Sequence, residues 1–139
     1  MAKILLEAAE RKACELGLSE NIAIVDEGGN LIGFLRMDNA KLAGIDIAQN
    51  KAWTSVSMQM PTSNLSIAAL PGEPSYGINT TNQGKIVVLG GGIPLVFNKK
   101  VVGGVGVSGA TSTQDIEVAN AAVKAFENLT SSVSYPVNP

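Results

Sequence analysis

The chain has 139 residues, 45% of them hydrophobic and 16% charged, with a formal net charge of −2 and no histidine. That length and apolar content suit one domain with a continuous core, while the weak acidic charge and 4% aromatic content argue against nucleic acid as a partner. The lack of histidine removes Ser-His and Cys-His nucleophile pairs, imidazole metal ligation and the usual neutral-pH base.

A single cysteine, Cys14, excludes an internal disulfide and a Cys-rich zinc site. Any chemistry must therefore use carboxylates, Lys, Arg, Tyr, Cys, hydroxyls, backbone amides or a borrowed cofactor. The start, Met1-Ala2-Lys3, leads directly into an amphipathic segment, and no apolar run approaches membrane-spanning length, so a cytoplasmic protein without a membrane partner is expected.

Residues 2–16 read as a helix with Leu5, Ala9, Ala13 and Leu16 near one face, Glu7 and Arg11 able to pair on another, and Gly17 as its stop. Cys14 falls at the face boundary, where a packed small residue is favoured over a reactive thiol. Ile22 to Asp26 and Leu31 to Met37 read as strands of a hairpin, joined by Glu27-Gly28-Gly29-Asn30, whose residues supply the positive φ angles of a tight turn. Arg36 ends the second strand, either in a rim ion pair with Asp38 or as a clamp for an anion.

Gly44 to Met60 reads as a second helix with Ile45, Ala48, Ala52 and Val56 as its buried stripe. Lys51 and Thr54 lie off that stripe, and Trp53 lies on the more polar side. After Pro61, Thr62 or Ser63 caps a short helix through Ala69. Leu70 to Gly84, with Tyr76 as its one aromatic, is a long connection of the kind that serves as a lid or binding loop.

Lys85 to Gly109 holds seven of the chain's 15 glycines. Lys85 to Leu89 reads as a strand broken by Gly90, Gly91 and Gly92. Ile93 to Phe97, a polar turn at Asn98 to Lys100, and Val101 to Ser108 read as a second hairpin. Strict alternation puts Val101, Gly103, Val105 and Val107 on one face of the last strand and Val102, Gly104, Gly106 and Ser108 on the other, which is nearly bare. Gly104, Gly106 and Gly109 spell G-x-G-x-x-G, but a dinucleotide site needs a βαβ unit and an acidic residue about twenty positions on, which the remaining chain does not supply.

A final helix follows, capped by Thr111, Ser112 or Thr113, with Ser112 and Asp115 at capping spacing and Ile116, Ala119, Val123 and Phe126 as its stripe. Residues 131–139 read as an extended or disordered tail beyond a single domain at residues 1–130. Two hairpins and four helices in this order predict an α+β fold, helices on an antiparallel sheet.

Three segments, IAIVDEGGNLIGFLRMD, IDIAQNKAWTS and VVLGGGIPLVFNKKVVGGVGVSGATSTQDIEVANAA, resemble in sequence and order the GlcG/HbpS-like haem-degrading domain family. That family includes the C-terminal domain of PduO-type corrinoid adenosyltransferases. The resemblance implies a profilin-like or PAS-like fold with an antiparallel sheet of about five strands, assembly into a homo-oligomer, and a link to haem or corrinoids. In relatives that ligate haem the first hairpin turn reads D-x-G-G-H; here Asp26-Glu27-Gly28-Gly29-Asn30 places asparagine at the histidine position, which disfavours haem as a histidine-ligated cofactor.

Three functions compete. The first is a small-ligand-binding or accessory protein whose cleft lies between the lid, which carries Tyr76, and the Gly90, Gly91 and Gly92 turn, whose amides meet an anionic group with Arg36 or Lys51 supplying charge. The second is a small-molecule isomerase, lyase or hydratase using Asp38, Lys51 or Tyr76 as acid or base. The third is a purely structural oligomer. No residue set points to a metal.

Overall fold

In the computed structural model, which describes residues 1–131, a four-stranded antiparallel sheet is sandwiched between helices. The elements are α1 (Ala2–Glu15), β1 (Asn21–Asp26), β2 (Leu31–Arg36), α2 (Ala43–Met58), α3 (Ser63–Ala68), β3 (Gly92–Phe97), β4 (Lys100–Ser108) and α4 (Ser112–Thr130). Strand order is β2-β1-β4-β3, so the two hairpins meet along the β1–β4 seam. The α+β reading holds, with four strands rather than about five. The proposed tail at 131–139 lies, beyond Ser131, outside the described residues. No helix among the described residues is long and apolar enough to cross a membrane.

The missing strand is Lys85–Leu89. Its backbone is satisfied by a helix side chain instead of a neighbouring strand: Thr54 Oγ1 donates to the Lys85 carbonyl at 3.0 Å and accepts from the Val87 amide at 3.1 Å. A segment whose polar groups are already paired on α2 has no need of a ladder. Ile86 is buried beneath it.

The two faces of the sheet are built differently. On one, Ile22, Ile24, Leu95, Val105 and Val107 meet Leu5, Ala9 and Ala13 of α1 and Val118, Ala119, Ala122 and Phe126 of α4. On the other, α2 lies almost on the backbone. A Cβ at Gly104 would fall 2.8 Å from the Ala52 carbonyl oxygen, and one at Gly106 would collide with the Ala48 carbonyl oxygen. The bare face of β4 is thus a seat for a helix, as its glycines suggest.

Alternation along β4 is not strict. Leu95 pairs with Gly103 but Val96 pairs with Val101, leaving Val102 as an extra residue. The irregularity turns Val101 toward α2 and Val102 toward the α1/α4 core, the reverse of their expected faces. Asn98 and Lys99 close the hairpin with φ of 54° and 64°, as a primed turn demands.

The α4 cap is Thr111, not Ser112: its Oγ1 accepts from the Gln114 amide, and the Gln114 side chain accepts from the Thr111 amide. Its buried residues are Asp115, Val118, Ala119, Ala122 and Phe126, so the stripe is rotated from the expected one, with Ile116 and Val123 only partly covered. Cys14, expected to be packed, is exposed on α1.

Candidate functional site

The most unusual chemistry lies where the sandwich closes, at the start of β1 and the end of β4. Lys51 projects from the middle of α2 and is only 2% exposed. Its Nζ donates to the Val107 carbonyl at 2.8 Å and to Asp115 Oδ2 at 3.1 Å, forming a buried ion pair between α2 and the first turn of α4. Asp115 Oδ1 accepts the Ala110 amide at 3.0 Å, so both carboxylate oxygens are engaged.

Reaching Asp115 takes Lys51 past the end of β3, and glycines leave the passage open. A Cβ at Gly91, whose φ is 128°, would stand 2.9 Å from Lys51 Nζ and 2.6 Å from the Val107 oxygen. Gly92 is pressed on the Lys51 carbonyl, and Gly90 on Ile116. These glycines shape a channel for a lysine side chain. Their amides are not all open: Gly92 N donates to Thr62 Oγ1 at 2.9 Å.

Beside this pair sits Glu20, the residue before β1, fully buried. No N–H group donates to its carboxyl oxygens or to Asn21 Oδ1; the Glu20 carboxyl is instead hydrogen-bonded to Asp115. Burial first, and the neighbouring Asp115 next, push the Glu20 carboxyl up to about 8, against the opposing pull of Lys51 and Lys41. Glu20 therefore carries its proton at neutral pH, and the cluster of Lys51, Asp115 and Glu20 is close to electrically neutral.

A pocket of about 200 Å³ opens on this cluster, lined by Lys41, Gly44, Ile47, Lys51, Leu89, Ser108, Gly109, Ala110, Ser112 and Asp115 among others. Gly109, with φ of 154°, separates it from Glu20: a Cβ there would lie 3.1 Å from Glu20 Oε2. The pocket combines apolar walls with a few converging polar groups, the pattern of small-molecule sites.

Of the residues singled out in the sequence, Lys51 is the one that lines this pocket. Gly91 and Gly92 border the lysine channel, while Gly90 packs on Ile116. Arg36 is exposed and holds the Ala40 carbonyl through Nε and Nη2, at 3.3 and 2.9 Å, closing the loop that leads to α2. Asp38 is exposed, and Tyr76 is 68% exposed in the Leu70 to Gly84 connection, none of which lines the pocket. That connection is a series of turns with short 3₁₀ segments at Ile78–Thr80 and Asn82–Gly84.

Sequence reasoning missed Glu20 and Asp115 as site residues. Glu20 stands in a Ser-Glu-Asn run that reads as a loop, and Asp115 reads as a helix-start residue. One available signal was an acidic residue at each border of the β1–β4 seam, facing a lysine placed on a helix otherwise rich in small residues.

At the opposite end of β1, Asp26 Oδ1 accepts the Gly28 and Asn30 amides, each at 2.9 Å, and Asn30 Nδ2 at 3.1 Å. These donors, the Asn30 amide foremost, hold the Asp26 carboxyl below its ordinary value. Trp53 lies against Gly29, and Lys85 Nζ stands 5.3 Å from the indole centre. A shallower cavity of about 320 Å³ is lined there by Gly29, Asn30, Gln49, Asn50, Trp53 and Lys85 with two apolar neighbours.

Residues 1–124 match the family model described as haem degrading protein HbpS-like. An uncharacterized 15.0 kDa protein from the dhaT-dhaS intergenic region of Citrobacter freundii is 41% identical over 128 residues, spanning 92% of this chain and 90% of its own. Among solved structures, Klebsiella pneumoniae protein ORFY superposes with a TM-score of 0.89 at 39% identity, covering 96% of this chain and 89% of that one. A PduOC:heme complex superposes with a TM-score of 0.86 at 36% identity, covering 88% and 89%. By sequence match and by fold, the chain belongs to the HbpS-like haem-degrading protein family.

Proposed function

We propose that the protein is a small-ligand-binding member of this family, and that its ligand occupies the pocket over Lys51, Asp115 and Gly109. The observation that carries this reading is an open pocket lined by both members of a buried ion pair, Lys51 and Asp115, with Lys41 at its rim. Among the described residues, two of the three N–H donors of Lys51 are taken by Val107 and Asp115, leaving one for the pocket it lines. With Lys41 at the rim, the site favours a compact organic anion.

Haem is what the PduOC relative holds. The residues of this chain do not fit a histidine-ligated haem: there is no histidine, and Asn30, at the expected ligand position, spends its side chain on both oxygens of Asp26. Met37 Sδ accepts the Glu20 amide, and Cys14 lies exposed on α1. No step is therefore assigned to haem or to a corrinoid.

A second reading, a small-molecule isomerase, lyase or hydratase, is favoured by one observation: Glu20 titrates near 8, close to the pH at which a general acid or base works best. In that reading Lys51 binds and Glu20 carries the proton, while Asp38 and Tyr76 lie away from the pocket. Calorimetric titration of the purified protein with haem, a corrinoid, acetate, lactate and pyruvate tests the binding reading. Saturable binding of a small carboxylate that is weakened in Lys41→Met, at the exposed rim, supports it; binding of haem alone, unaffected by that variant, overturns it.

A further inference from the structure

We propose that the outer edge of β2 is a strand-pairing surface, and that its occupant is the β2 of a second copy of this chain, laid antiparallel across a two-fold axis so that the two sheets join. The proposal is independent of the ligand reading above.

The two edges of the sheet are finished differently. β3 forms one of them, and it is closed. The Gly92 amide donates to Thr62 Oγ1 at 2.9 Å, the Gly92 carbonyl accepts the Thr62 amide at 2.9 Å, and the next outward position is Pro94, which has no N–H to offer. β2 forms the other edge, and it is open.

The ladder fixes which groups of β2 face out. Met37 N donates to the Glu20 carbonyl at 3.0 Å and Asp26 N to the Asn30 carbonyl at 2.9 Å, so the even-numbered residues of β1 are the ones that bond toward β2. Gly33 and Leu35, opposite Ile24 and Ile22, therefore turn their main-chain groups to β1, while Phe34 and Arg36 turn theirs outward. No loop or helix of the described residues hydrogen-bonds those outward groups. The strand, LIGFLR, also lacks the proline and lysine that usually guard a free edge, and its irregularity lies at one end, opposite Val25, leaving Gly33 to Arg36 regular. Leu31 and Ile32, at that end, are 48% and 54% exposed. An apolar strand with unpaired main-chain groups is a template for another strand.

Charge selects the occupant. The one charge on β2 is Arg36, its last residue. Antiparallel pairing about an axis at Phe34 sets each Arg36 beside Ile32 of the other copy and holds the two arginines four positions apart, about 13 Å along the strands. That exceeds the screening length of about 8 Å at physiological salt, so apolar residues meet apolar residues between charges that do not oppose. The contact uses the same patch on both copies and closes on itself. Residues 132–139 of this chain, SVSYPVNP, are a poorer occupant, because Pro136 and Pro139 cannot donate to a ladder. Leu31 also lines the cavity beside Trp53 and Lys85, so the second copy stands at the margin of that cavity.

The test is hydrogen exchange of the purified full chain over a range of concentrations, resolved to single amides, with the mass in solution followed by light scattering. The expected result is an even-numbered assembly in which the Phe34 and Arg36 amides exchange at least about tenfold more slowly than in the dissociated chain. Ile32→Lys puts a charge on the open edge; it is expected to halve the mass in solution and return both amides to fast exchange, with an unchanged far-UV circular dichroism spectrum. Should that variant not fold, exchange in the unaltered protein decides alone. An assembly whose Phe34 and Arg36 amides exchange freely overturns the proposal, as does an Ile32→Lys chain of undiminished mass. A chain that stays monomeric at every concentration overturns it too, and slow exchange of the two amides in that monomer would give the edge to residues 132–139 instead.

Discussion

Strand β1 carries an acidic residue at each border, and the two are treated in opposite ways. Asp26, at the hairpin turn, is solvated and accepts three hydrogen bonds at one oxygen, which lower its pKa. Glu20, one residue before the strand, is fully buried against the Asp115 carboxylate with no N–H donor to either oxygen, and its pKa is raised. A carboxylate surrounded by donors is a fastener for its turn; a carboxyl buried against a second carboxylate retains its proton and shares it with that neighbour.

The largest expected effect comes from the pair that makes the buried end possible. Asp115→Ala leaves Lys51 charged, buried and without its counterion, and Lys51→Ala does the same to Asp115. Each is expected to destabilise by about 3–5 kcal/mol, read from urea or thermal unfolding. Lys51→Ala with Asp115→Ala together should cost less than the sum of the two, since each removes the charge the other strands. Additive losses would mean that the 3.1 Å pair carries little coupling.

Glu20→Gln is expected next, with its sign set by pH. The folded-state value is about 8 against an ordinary 4.5, so the native protein holds a proton that the unfolded chain has released between those limits. Stability from this group is complete below pH 4.5 and is lost progressively as pH rises to 8. Gln is neutral throughout, so the variant should overtake the unaltered protein as pH rises, by up to about 4 kcal/mol at pH 8, with the gap closing toward pH 5. Parallel stability curves across that range would show that Glu20 is ionised in the folded state.

The same contrast explains what was legible in the sequence. The Asp26 end is local: Asp-Glu-Gly-Gly-Asn places its turn residues and donors within five positions, and the hairpin follows from them. The two glycine-bare positions of β4, Gly104 and Gly106, likewise announce a close helix. The Glu20 end is assembled from residues 31 and 64 positions apart along the chain (51 − 20 and 115 − 51). Lys51 lies off the apolar stripe of α2, and helical periodicity alone assigns it to solvent; it is buried because Gly91 leaves a gap at the end of β3 for it. Lys85–Leu89 has the composition of a strand, yet Thr54 of α2 claims its backbone. Both departures arise from α2 lying so close to the sheet that its polar side chains reach through or around it, a tertiary circumstance no local pattern encodes.

The smallest effect is expected at the satisfied end. Asn30→Ala removes the side-chain donor to Asp26 but keeps the Asn30 and Gly28 backbone donors, of which the Asn30 amide is the leading cause of the lowered pKa. The Asp26 carboxyl should therefore move only part of the way back toward its ordinary value, as followed by NMR titration, while binding at the Lys51 pocket is unchanged because the two sites lie at opposite ends of β1. Asn30→His extends the comparison by restoring the residue expected of a haem-ligating turn. A haem spectrum that shifts and saturates in this variant but not in the unaltered protein would show that the turn retains the geometry for axial ligation and that asparagine alone abolishes it. Unchanged spectra in both would show that Trp53 and Lys85, packed beside Gly29, now fill the space the macrocycle needs.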